Sequence, residues 1–483
     1  MVTRNTPGLA RIQRASATLD DTAPPSPKVA LDVIVLVLPL FLFQEVTVVG
    51  RLFLPEIIMA GMLPFLLMTR GRMLADAGPR TFFLLAFAWL ASQVLTDLIR
   101  NTPFADYSRG WSKIFFTTTN FAVMYMLLYG SRRRIAFFCL SLTMGGFLTF
   151  FIHPADYAYA DPWKFGVGIY CTFLVVLLTL LPFVQRVWIL PSLLLAGIAL
   201  LSVVLGSRSL GGITLMAALY IFVQQVVGRR QRAARPSLIR TLMFLGVGVF
   251  VAGGILTIYS QAAEQGLLGA EAREKYEFQA GTGGALAVLL GGRSEIFVAS
   301  QAIADSPIIG HGSWAKNPEY AARLLLLDKF GYEVNYSAAE SELIPTHSHL
   351  FGAWVESGTV GTFLWFWALF LALRVMSNMY LLREPMSPLI VFASILFAWD
   401  ILFSPFGAER RIFAPFYIIL LMFAWDLLRS NVPGDRLVGL RRRAPARPAM
   451  RGRAQSPRAA PSRPATWRTP PRPRPAGPGP RRP

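Results

Sequence analysis

The feature that most constrains this chain is the recurrence of apolar runs long enough to cross a lipid bilayer. A spanning helix needs about 20 mostly apolar residues. About twelve stretches meet that requirement: 30–49, 52–68, 81–99, 111–130, 135–152, 163–181, 187–205, 209–228, 238–260, 358–376, 388–404 and 411–428. In hydrocarbon such runs can satisfy their backbone hydrogen bonds only as helices. The expected fold is therefore an all-α polytopic membrane protein. The first two runs carry the weakest signal, because the turn between them is short and holds Gln44, Glu45 and Arg51. Composition agrees with the class: 54% of residues are hydrophobic and the mean hydropathy is +0.47.

Positive charge in the short connections sets the orientation. Arg70, Arg72 and Arg80 follow the second run, Arg132, Arg133 and Arg134 the fourth, Arg186 the sixth, and Arg229, Arg230, Arg232 and Arg235 the eighth. All lie in even-numbered connections, as do both charged termini, so both ends of the chain are expected in the cytoplasm. Residues 1–29 read as a retained cytoplasmic segment, since no short apolar stretch with a small-residue cleavage site follows. Residues 30–260 carry spans one to nine, and 349–428 carry spans ten to twelve. Between them, 261–348 form the one large connection, on the outer side. Within it LLGAEAREKYEF and YAARLLLLDKF read as amphipathic helical segments.

A net charge of +20 invites a nucleic-acid reading until it is located. From Arg436 onward there are fourteen arginines and no acidic residue. Residues 429–483 thus form a disordered Pro/Arg-rich tail that cannot build a core. Anionic lipid headgroups of the bilayer are its expected partner, rather than nucleic acid. Cys139 and Cys171 both sit inside apolar runs, which implies packing and no disulfide framework.

Three cationic or titratable points fall on the outer side. Arg208 lies in GSRSLGG, where span eight begins, with Ser207 and Ser209 beside it. A helix N-terminus with hydroxyls and a guanidinium suits a phosphate; it equally suits a snorkelling arginine with serine caps. Arg293 lies in GGRSEIFVASQAIA, at a second helix start, where it could instead pair with Glu295 or Glu274. His347 stands in PTHSHLFGAWVESGTVG at the start of span ten, with Ser348 or Thr346 as N-cap. A helix N-terminus disfavours imidazolium, and a neutral ring can act as general base; the alternative is a capping or interfacial histidine. His349, His311 and Glu356 are further support candidates, with Ser207, Ser209 and Ser348. No Asp-x-Asp and no His/Cys metal cluster occur in the sequence. Two guanidinium groups could hold a diphosphate leaving group while a base deprotonates an attacking hydroxyl.

These residues resemble the O-antigen ligase and O-antigen polymerase (Wzy-type) family of bacterial membrane glycosyltransferases. The family signature is a histidine, then Asn, Ser or Gln, nine residues and a glycine; His347-Ser348, residues 349–357 and Gly358 match it. The GSRS segment and GGRSEIF…IADSPIIGHG look like the other two basic landmarks. The resemblance implies a GT-C-like fold of about 12 transmembrane helices with one large helical periplasmic loop, in the bacterial inner membrane. It implies metal-independent, inverting transfer, without a cofactor, of a glycan from an undecaprenyl-diphosphate carrier. In that frame Arg208 and Arg293 grip the donor diphosphate and His347 is the base. The acceptor would be a lipid A–core sugar hydroxyl for a ligase, or a growing polysaccharide for a polymerase; ligase-type transfer is the favoured reading. Two features depart from the pattern: His349 is not part of the signature, and the arginine-rich tail has no counterpart. A carrier or lipid-linked-sugar flippase is the reading from another class, although the chain shows no internal repeat and a single lopsided loop.

Overall fold

The structure is a computed structural model that describes residues 28–47, 50–227, 295–328, 342–380, 382 and 384–430, with scattered positions between 239 and 276. The described residues are mostly helical. In chain order they form α1 (Lys28–Val37) with a 3-10 extension Leu38–Phe43, a hairpin of β1 (Glu45–Thr47) and β2 (Arg51–Phe53), then α2 (Leu54–Arg70), α3 (Ala77–Arg100), α4 (Phe104–Leu128) and α5 (Arg132–Ile152). There follow α6 (Gly168–Leu178, entered through a π turn at Trp163–Val167), α7 (Leu190–Val204), α8 (Arg208–Val227), α9 (Glu295–Asp305), α10 (Pro318–Asp328), α11 (His349–Met379), α12 (Ser387–Phe403) and α13 (Arg410–Ser430).

Eleven of the twelve apolar runs overlap helices, the first only as far as Phe43, and the run 238–260 lies largely outside the described residues. Six described helical segments are long and apolar enough to cross a membrane, and four shorter apolar ones accompany them. This is the architecture of a multi-pass membrane protein. The bundle is built around α12 and α13, which are buried along nearly their whole length. The second half of α4, Asn120 to Leu128, is buried without interruption against α13. Outer helices instead present large apolar side chains outward, Phe65, Met68 and Leu84 among them. An apolar belt of that kind suits contact with lipid tails.

Two departures from the sequence reading matter. The run 30–49 does not remain helical: the chain leaves the helix at Phe43 and returns through β1 and β2, paired antiparallel with Glu45 opposite Phe53. The polar turn is tied by Arg51, whose Nε and Nη2 donate to the Glu45 carboxylate at 2.7 and 2.5 Å. Helix α11 begins at His349, nine residues before the apolar run 358–376. Ser348, one of the two cap candidates beside Thr346, caps it, its Oγ accepting from Phe351 N at 3.1 Å.

Within 261–348, EIFVASQAIA lies in α9 and YAARLLLLD supplies most of α10. LLGAEAREKYEF falls largely outside the described residues, as do Arg293 and the tail beyond Ser430.

Candidate functional site

The first anchor of the site is a glycine. Gly358 has φ +71° inside α11, a region closed to most side chains, so the helix kinks there and releases two carbonyls. The loop 306–313 fills the gap. His311 N donates to Val355 O at 2.7 Å, Gly312 N to Glu356 O at 3.0 Å, and Thr359 N to Pro307 O at 3.0 Å. The approach is so close that a Cβ on Gly358 would stand 1.9 Å from Ile308 O. Two landmarks quoted from the sequence, SPIIGHG and ESGTVG, are thus a single interlocked piece.

The end of α3 clamps the same loop from the other side. Thr96 Oγ1 donates to Ile309 O, and Arg100 donates to Gly310 O at 2.9 Å and to Ser306 Oγ at 2.6 Å. Asp97 is the hub. Its carboxylate accepts from Ser313 N and Ser313 Oγ, both at 2.7 Å, and from Trp111 Nε1 at 2.8 Å. Gly110 makes room, because a Cβ there would sit 2.0 Å from Ser313 Oγ.

Beside this clamp lies a cavity of about 700 Å³. It is walled by the β hairpin, the first turns of α4, residues 314–315 and 343–346, the start of α11, the connection 405–408 and Arg411 in the first turn of α13. Counted along the apolar runs of the sequence, the connections that line it are the odd-numbered ones. Four cations line it, Arg51, Arg109, Lys113 and Arg411, against one carboxylate, Glu356. Each cation has an acidic partner, but most partners stand behind the wall. Arg411 donates to both oxygens of fully buried Glu56, at 2.7 and 2.6 Å. Arg51 pairs with Glu45, and Arg109 lies 3.8 Å from Asp106. Lys113 bonds Glu356 and sits 5.6 Å over the Trp314 ring. The positive end of the α11 dipole opens on the same space, so the cavity favours an anion.

The predicted residues divide among three places. His349 lines the cavity and is 1% exposed, its Nδ1 2.6 Å from Ser404 O. Glu356 and Ser348 line it too. His347 does not; its side chain is 32% exposed and its Nδ1 lies 3.8 Å from Glu295 Oε1. His311 turns away, its Nε2 2.8 Å from Ala302 O. Arg208 opens α8 after a turn made by Gly206, φ +82°. Ser207 is buried at that turn, its N–H bonding Ser202 O at 2.8 Å, and Ser209 is half-buried beside it. Neither Arg208 nor these serines lines the cavity. Sequence reasoning passed over Lys113 and Arg411, although a charge within an apolar run is itself a signal.

Among the described residues no three His, Cys, Asp or Glu side chains are grouped to hold a metal ion. No family model matches the chain, and no curated protein sequence is significantly similar to it.

Proposed function

We propose that this chain is a membrane glycosyltransferase of the O-antigen ligase type. It moves a glycan from an undecaprenyl-diphosphate carrier to a sugar hydroxyl of lipid A–core, at the periplasmic face of the inner membrane. The single observation that carries the reading is the cavity, with four cations facing it and most neutralising carboxylates behind its wall. A glycosyl diphosphate needs charge stabilisation that grows as the bond to the sugar breaks, and fixed cations supply it without reorganisation. The signature histidine, His347, supplies the complementary need, a proton acceptor for the attacking hydroxyl.

In this reading the odd-numbered connections face the periplasm, both termini are cytoplasmic, and the full chain has about twelve spans in a GT-C-like arrangement. Arg51, Arg109, Lys113 and Arg411 form the anionic-headgroup wall. Arg208 and Arg293 remain donor-binding candidates through the family resemblance, and metal-independent inversion at the anomeric carbon follows from it.

The test uses the full chain purified in detergent, with a polyprenyl-diphosphate-linked glycan as donor and lipid A–core as acceptor. Product formation without any ion gradient is the expected result. Donor that binds and crosses reconstituted vesicles unchanged would instead make the protein a carrier. Transfer onto a growing glycan but never onto lipid A–core would make it a polymerase.

A further inference from the structure

The side chain of His347 is 32% exposed, within reach of a substrate, and the fold brings an acid to its ring. The interlock pins α9 and α11 at one shared level. Pro307 O accepts there from Thr359 N at 3.0 Å, Thr359 Oγ1 at 2.7 Å and Trp354 Nε1 at 2.9 Å. From that level α9 reaches back to Glu295, and the first part of α11 reaches back from Gly358 to His349. At 1.5 Å per residue those stretches span about 15 Å and about 14 Å. Two helices that run side by side in the same direction therefore also begin at one level. A single apolar cluster, with Val298, Ala299 and Ala302 of α9 and Phe351 and Val355 of α11, keeps them in contact. The first side chain of α9 is thus set beside the residue that precedes the α11 cap. Glu295 Oε1 stands 3.8 Å from His347 Nδ1, and the glutamate side chain is only 12% exposed. The backbone carrying His347 is fixed as well, because buried Ser348 donates through Oγ to Ile401 O at 2.8 Å.

We infer that Glu295 is a positioning residue for His347: its carboxylate accepts from Nδ1–H and fixes that tautomer, leaving Nε2 to take the proton of the attacking hydroxyl. The inference rests on the glycosyl-transfer reading and adds to it a residue that touches neither reactant. At 3.8 Å the contact is an ion-pair distance, longer than a hydrogen bond. Catalytic hydrogen bonds are often long in unliganded sites and tighten when substrate binds. The two helix starts explain why a carboxylate is needed. Their positive dipole ends adjoin the ring and disfavour imidazolium, yet imidazolium is the species that forms when the ring takes a proton. A neighbouring negative charge offsets that effect, as carboxylates do beside other histidine bases. In the step itself the acceptor oxygen attacks the anomeric carbon and forms the new glycosidic bond. The bond from that carbon to the diphosphate oxygen breaks, with its electron pair leaving on the polyprenyl diphosphate. The hydroxyl proton moves to Nε2 and is later released to water, and Glu295 stays ionised throughout.

The experiment combines kinetics and ring spectroscopy on the full-length protein. Glu295→Gln keeps the shape of the side chain and removes its charge. It should lower kcat at least about tenfold with donor KM unchanged, and by less than His347→Ala, which should lose about 10²–10⁴-fold, the range for a general base. Added to His347→Ala it should cause no further loss, because residues that act as a unit are not additive. An acid with a merely structural role at the helix start would show its loss in both backgrounds. The chain has four histidines, so ¹⁵N-labelled rings can be resolved and His347 assigned by its loss in His347→Ala. The resting ring should be the Nδ1–H tautomer, and Glu295→Leu, which offers no acceptor, should shift it toward Nε2–H. Wild-type kcat in Glu295→Gln, or losses that multiply in the double variant, overturn the inference. So does a raised donor KM at unchanged kcat, which assigns Glu295 to the donor side through Arg293, two positions earlier in the sequence. An unchanged ring spectrum in Glu295→Leu overturns it whatever the activity, and leaves the glycosyltransferase standing. A wild-type protein that transfers nothing brings down the reaction and the role together, even where the spectrum upholds the pair.

Discussion

The two ends of the helical bundle use similar charged residues in opposite ways. At the end holding the even-numbered connections, acids and bases meet face to face. Arg132 lies 2.8 Å from Glu384, Arg134 2.9 Å from Asp32, and Tyr129 bonds Asp426. Burial raises the pKa of Glu384, and Arg132 draws it back down. At the other end Arg51, Arg109 and Arg411 face a hollow, with Glu45, Asp106 and Glu56 behind them, and only Lys113 meets its acid, Glu356, in the lining itself. The first arrangement closes a structure. The second leaves positive charge available to something that enters. Placement, more than the number of pairs, separates a structural end from a functional one.

The contrast breaks first at Arg411. If Glu56 and Arg411 form the cavity's foundation, Arg411→Ala strands a carboxylate that is fully buried. It should cost about 3–5 kcal/mol, read as a fall in unfolding midpoint in detergent; a change near zero would remove the foundation. Gly358→Ala comes next. Strain at positive φ alone costs about 1–3 kcal/mol, and the clash with Ile308 O should unseat the loop, measurable as faster hydrogen exchange at His311 and Gly312. The double variant Lys113→Met/Glu356→Gln sharpens the comparison. It should weaken donor binding about 10- to 100-fold, the value of one charge-assisted hydrogen bond, whereas Arg132→Met at the other end should leave donor affinity unchanged. Arg133, 69% exposed and 3.6 Å from Asp32, should matter little, its alanine variant lying within about 1 kcal/mol of wild type.

The smallest effect is one of pH. Asp305 has its pKa lowered, chiefly by the hydrogen bond from Tyr320 Oη at 2.6 Å, and Tyr320 is pushed up to about 12 by burial and by Asp305. A lowered carboxylate pKa stabilises the folded state above the ordinary carboxylate range, and that contribution is lost as pH falls through the lowered value. The packing of α9 on α10 should therefore loosen in acid, and Tyr320→Phe should flatten the dependence. Unfolding followed against pH in both proteins checks it.

Much of the scaffold was legible because hydropathy over 20 residues is a strong signal. The hairpin was not, since three-residue strands are too short for alternation to register and Gln44, Glu45 and Arg51 read only as a polar turn. The early start of α11 was hidden by HLFGAWVES, whose glycine, glutamate and serine dilute the apolar average. The site was half legible. Ser348 was visible as a candidate cap, and Glu356, which lines the cavity, was singled out. The cavity's cations were not, because Arg51, Arg109, Lys113 and Arg411 are scattered over 360 positions and only tertiary folding gathers them. Nor could spacing decide between His347 and His349, two residues apart with rings in different surroundings.

The length of α11 carries a consequence for where chemistry can occur. Past the kink at Gly358 its remaining 21 residues, 359–379, rise about 32 Å at 1.5 Å each, against a hydrocarbon slab of about 30 Å. Standing along the membrane normal, that part alone fills the slab, and the stretch from His349 to Gly358 is left beyond it. The hinge then falls near the level where acyl chains give way to headgroups. On the proposed glycosyl transfer, a lipid-tethered donor and a headgroup-level acceptor could meet there without either leaving its own phase.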